Sequence, residues 1–99
     1  MIQHLVAFKC LPGLPEDKLT EVIAKLNALK DSIPVVLSLS AGRNFVADPA
    51  RSLGYEAGLA ATFAGRESLA AYIEHPEHQN IVKILCQTME SWLVVDYEM

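Results

Sequence analysis

The chain has 99 residues, 52% of them hydrophobic, and a formal net charge of −4 at pH 7. That length suits a single domain, residues 1–99, with a thin core of its own. Eight scattered Lys and Arg give no concentrated positive surface for nucleic acid, and no run approaches the roughly 18 uncharged apolar residues that a membrane-spanning helix needs.

A mean hydropathy of +0.24 is high for so short a chain. The apolar surface that its core cannot absorb should be covered by another subunit, so an oligomer is expected before any motif is considered. Cys10 and Cys86 have neither metal-binding nor redox spacing. The opening MIQHLVAFKC has no basic segment followed by a cleavage site. Unpaired cysteines without an export signal are expected in a reducing cytoplasm.

Taken in chain order, IQHLVAFK alternates as a strand, with Ile2, His4, Val6 and Phe8 on one face and Gln3, Leu5, Ala7 and Lys9 on the other. Both faces are largely apolar, so both should be covered. LPGLPEDK turns into a helix with Pro15 at its first position and Glu16 and Asp17 at the positive end of the helix dipole. Leu19, Val22, Ile23, Leu26 and Leu29 or Lys30 form its apolar stripe, Asn27 lies largely off it, and the helix should stop before Pro34. A second strand is expected over VVLSLSAGRN, with Val35, Leu37, Leu39 and Ala41 on one face. FVADPARSLGYE reads as a loop. AGLAATF (57–63) is a third strand whose Gly58, Ala60 and Ala61 leave room for a bulky neighbour. GRESLAAYI is a short helix, PEHQNIVKILCQTME a second helix starting at Pro76, and SWLVVDYE the last strand.

The resulting order, β-α-β-β-α-α-β, is an α+β class pattern: a ferredoxin-like split β-α-β with a four-stranded antiparallel sheet. Helices cover one sheet face. The other carries Leu5, Ala7 and either the Leu93/Val95 or the Trp92/Val94 row, and a two-fold partner laying its own sheet there would form a homodimer.

Candidate chemistry gathers in AAYIEHPEHQN (70–80). His75 precedes proline and should be extended, leaving Glu77 and His78 in the first helical turn. The positive end of a helix disfavours an imidazolium, so His78 should be neutral, as a general base must be. Tyr72, at the end of the preceding helix, is placed to turn back onto that imidazole or a substrate oxygen. His4, on the Val6/Phe8 face of the first strand, would flank the same apolar pocket if that face meets the helices. Structural roles are open for each: His75 as a helix cap, His78 and His4 as satisfied interior histidines, Tyr72 as a core aromatic. His75 and His78 with Glu74 or Glu77 make a poor metal set, because Pro76 interrupts the helix between them and no third ligand is evident.

With HLVAFK, IPVVLSLSAGRN, GYEAGLAATF, LAAYIEHPEHQNIV and VVDYE in place, the chain resembles the stress-responsive dimeric A/B barrel (Dabb) family over essentially its whole length, the YxxHPxH element being the most specific part. The resemblance implies a ferredoxin-like subunit that pairs sheet to sheet into a barrel. It extends to plant polyketide cyclases of the olivetolic acid cyclase type, which work without metal or organic cofactor. In that comparison the residue matching His78 is the general base, that matching Tyr72 assists it, and that matching His4 lies in the pocket. A third-strand histidine of the cyclase is replaced by Ala57 here. Two functions follow as expectations: a non-catalytic dimeric module holding a small apolar ligand, or a cofactor-free enzyme in which His78 removes a proton beside a carbonyl and Tyr72 stabilises the oxyanion.

Overall fold

Eight elements occupy the 99 residues that the computed structural model describes: β1 (Ile2–Cys10), α1 (Glu16–Ser32), β2 (Ser38–Arg43), α2 (Pro49–Ser52), β3 (Ala57–Phe63), α3 (Arg66–Glu74), α4 (Pro76–Thr88) and β4 (Met89–Glu98). The strands form one antiparallel sheet in the order β2-β3-β1-β4. This is the ferredoxin-like α+β arrangement, with β1 in an inner position as its two-sided apolar pattern requires.

Register decides which residues meet. His4 lies opposite Ala61 and Asp96, Val6 opposite Leu59 and Val94, and Phe8 opposite Ala57 and Trp92. Paired residues share a face, so these rows all point at the helices. Leu5 with Ala60 and Val95, and Ala7 with Gly58 and Leu93, point the other way. The open face therefore carries the Leu93/Val95 row, and Trp92/Val94 belongs to the helix side.

The core forms where the α1 stripe Leu19, Val22, Leu26 and Leu29 and the α4 residues Ile81 and Leu85 press on Phe8, Leu59 and Phe63 of the sheet. Each such side chain contributes on the order of 1.5–3 kcal/mol when fully buried. α1 opens one residue later than expected. Pro15 keeps an extended backbone and acts as the N-cap, with Glu16 and Asp17 in the first turn. The helix stops at Ser32, ahead of Pro34.

The second expected helix is shortened too, ending at Thr88 because Met89 and Glu90 join β4, and three further sequence expectations are corrected. Asn27 is not idle on the outer surface of α1: its side chain donates to the Ala41 carbonyl at 3.0 Å and accepts the Ala41 N–H at 2.9 Å, satisfying both backbone groups of Ala41 on the outer edge of β2. β2 begins at Ser38 rather than Val35, because the Val36 N–H is spent on a turn back to the Ile33 carbonyl. Val36 consequently enters the core and Leu37 stays exposed. The loop before β3 also holds α2, capped by Asp48 Oδ1, which accepts the Ala50 N–H at 3.0 Å, with Pro49 opening the helix. Leu53 ends α2 at φ 51°, and Gly54 follows at φ 83°, a conformation that glycine adopts without a side-chain penalty.

Candidate functional site

The YIEHPEH segment creates a corner. Pro76 pushes His75 out of helical geometry, to φ −62° and ψ 139°, so α3 must end at Glu74 and α4 start afresh. His75 serves that break: its Nδ1 accepts the Glu77 N–H at 3.1 Å and caps α4. The corner folds the last turn of α3 against the first turn of α4. The rings of Tyr72 and His78 then meet edge to face, with centroids 4.6 Å apart at 63°. This is a ring contact and not a hydrogen bond.

His4 reaches the same place from β1, with its ring 5.8 Å from that of Tyr72 and 6.1 Å from that of Phe63. Its Nδ1 is 2.5 Å from Asp96 Oδ1, the cross-strand partner on β4. His4, Tyr72 and His78, the three site residues expected from sequence, therefore border one cavity of about 210 Å³ between the sheet and the helices. Phe8 and Leu59 supply its sheet wall, Leu26 and Leu29 its α1 wall, and Ile81 and Leu85 its α4 wall. Trp92, Val94 and Asp96 line it from β4. His75 is not among the lining residues.

The electrostatics give each polar group a character. Burial pushes the Tyr72 hydroxyl up to about 12, so it remains an O–H at neutral pH. The pKa of His78 lies below its ordinary value, first because burial penalises the cation and second because His4 is close. A hydrogen bond to the Ile73 backbone acts the other way and is the smallest of the three effects. Neutral His78 is thus favoured, as expected, with desolvation rather than the helix dipole as the main cause. No buried side-chain nitrogen or oxygen lacks a partner. The Tyr72 hydroxyl, in a side chain only 1% exposed, has no partner within the protein and so must face the cavity space.

Asp96 is the residue that sequence reasoning missed. Its signal was present as a carboxylate in the otherwise apolar alternation of WLVVDYE, but only the register with β1 shows that it faces inward. Elsewhere, the Cys10 thiol is pushed up to about 11, chiefly by burial and then by Glu56, and stays protonated. Cys86 is exposed on α4. No group of three His, Cys, Asp or Glu side chains converges in metal-binding geometry.

A four-stranded sheet backed by helices on one face, with a polar-tipped apolar cavity between the layers, defines a ferredoxin-like α+β subunit. The model of the Stress responsive A/B Barrel Domain family matches residues 2–99, and the chain belongs to that family. It is similar to the Stress-response A/B barrel domain-containing protein HS1 of Arabidopsis thaliana, at 25% identity over 97 residues, covering 98% of this chain and 88% of that protein. A dimeric protein of unknown function and ferredoxin-like fold from Bacteroides fragilis superposes with a TM-score of 0.81 at 28% identity, over 99% of this chain and 95% of that one. The hydroxynitrile lyase from Passiflora edulis shares the fold, with a TM-score of 0.87 at 19% identity over 99% of this chain and 92% of that one.

Proposed function

We propose that the protein is a homodimeric small-molecule-binding member of its family, each subunit holding an apolar ligand with one polar end between sheet and helices. The observation that carries this reading is the cavity of about 210 Å³, lined by 15 residues of which 12 are hydrophobic, with the polar groups of His4, Tyr72 and His78 bordering it. Small-molecule sites have this composition: apolar walls that supply affinity and a few polar groups that fix orientation. A dry cavity of about 150 Å³ already admits benzene, so a monocyclic compound fits. Trp92, the only tryptophan, lines the cavity and reports its occupancy. Titration with toluene should change Trp92 emission saturably, and Val6→Phe, which fills the cavity from the β1 side without adding a second tryptophan, should remove the response. An unchanged response in the filled variant would show that toluene binds elsewhere.

The homodimer is supported by the open sheet face. Leu93 and Val95 are 45% and 47% exposed there. Beside them Ser40, Gly42, Gly58 and Ala60 leave a shallow hollow of about 600 Å³. A two-fold axis would set the bulky half of one face into the hollow half of the other, the self-complementarity that an isologous interface needs.

A second reading is favoured by the neutral His78 against the protonated Tyr72. It is proton abstraction beside a carbonyl without a cofactor, as in polyketide cyclases of the olivetolic acid cyclase type. The fold is also that of the Passiflora edulis hydroxynitrile lyase. His78 would accept the proton and the Tyr72 O–H would stabilise the enolate oxygen. The test is exchange of acetophenone methyl protons into deuterated water. The protein should accelerate it, and His78→Ala should reduce that acceleration by about 10²-fold or more with the fold intact. Equal exchange by both proteins would remove His78 from the chemistry.

A further inference from the structure

His4 is 5% exposed, borders the cavity and is held by Asp96 through one nitrogen alone. A carboxylate accepts hydrogen bonds and does not donate them, so the 2.5 Å contact places the ring proton of His4 on Nδ1. In a neutral imidazole the other nitrogen is then an acceptor. His4 Nε2 has no partner within the protein, yet no buried side-chain nitrogen or oxygen is left unpartnered, so Nε2 opens onto the cavity space. Tyr72 adds an O–H held protonated by burial. The two histidines thereby differ in kind: one is oriented by a carboxylate, the other rests against Tyr72.

We infer that Asp96 is a positioning residue that fixes the tautomer and rotation of His4, so that Nε2 presents a lone pair to the cavity and the polar end of the cavity selects ligands carrying an O–H donor. Asp96 stands at the cavity edge and acts through His4. Its cross-strand register makes the arrangement inexpensive, since β4 delivers the carboxylate to the face, and the position, that β1 gives the imidazole. A side chain of Asp length reaches Nδ1, and an apolar residue at this position would leave the ring free to choose its tautomer. The inference rests on the reading of the cavity as a ligand site, but its first test needs no ligand.

That test is the tautomer of His4, read from long-range proton–nitrogen NMR spectra of the imidazoles at mildly alkaline pH. The protein should show His4 protonated at Nδ1 alone, and Asp96→Ala should show a mixture. Asp96→Asn, which can donate to the ring, provides a second variant should the alanine change prevent folding, and it should shift the proton towards Nε2. A His4 protonated at Nε2 or at both nitrogens in the unaltered protein overturns the inference, as does an unaltered tautomer in the folded variants. The selectivity test compares phenol with toluene. Phenol should bind the unaltered protein at least about fivefold more tightly, the worth of one net hydrogen bond, and Asp96→Ala should narrow that ratio. Equal ratios in the two proteins overturn the selectivity claim. Failure of toluene itself to bind would instead count against the ligand-binding function and leave the tautomer result standing.

Discussion

At the scale of single residues, two histidines three positions apart have unrelated work. His75 caps α4, and capping is a stability role: His75→Ala should cost about 1 kcal/mol in chemical denaturation, with His75→Asp recovering most of it because a short carboxylate is a preferred cap. An alanine variant as stable as the parent would mean that the 3.1 Å bond to Glu77 contributes nothing in solution. His78 instead makes stability depend on pH. Its pKa in the folded chain lies below the ordinary 6.5, so the unfolded chain binds more protons in the interval between the two values. Its contribution to stability is complete above pH 6.5 and is lost progressively as pH falls below it, through the folded-state value. Denaturation midpoints measured across this interval should fall on acidification, and His78→Gln should flatten that slope; an equal slope in the variant would assign it to other groups. His4, Tyr72 and His78 were legible in the sequence because a proline-defined corner fixes two of them and strand alternation the third. Asp96 was not legible, because its face depends on a pairing between residues ninety-two positions apart.

At the scale of elements, β3 emerged to the residue and β1 one residue longer than expected, whereas β4 took Met89 and Glu90 from the end of the expected helix. The other misses share a cause. Backbone groups were claimed by partners that periodicity does not register: the Val36 N–H by a turn, the Ala50 N–H by Asp48, and the outer edge of β2 by the Asn27 amide. Hydrophobic pattern reports which side chains seek the core and is silent on where a free N–H finds its acceptor. The Asn27 clip is measurable. Asn27→Ala strips both partners from Ala41 and should destabilise the fold by about 1–3 kcal/mol, with faster amide exchange concentrated at Ala41. Uniformly unchanged exchange along β2 would show that water replaces the amide without penalty.

At the scale of the whole molecule, the surplus of apolar residues read from composition has a definite address, the face bearing Leu5, Leu93 and Val95. What composition could not supply is the shape of that face, one half bulky and the other hollowed by Ser40, Gly42, Gly58 and Ala60. Ala60→Trp fills the hollow, so it should shift a dimer towards single subunits in analytical ultracentrifugation while leaving the helix-side core folded. An unaltered protein that sediments as a single subunit at micromolar concentration would remove the paired-sheet arrangement altogether. The Asn27 clip then acquires a wider meaning. A ribbon of strands can lengthen without limit only if it accepts newcomers along both borders, and here one border is plugged at its midpoint by a side chain from the same molecule. Strand addition along that border is thereby opposed at Ala41, where both backbone groups already have their partner.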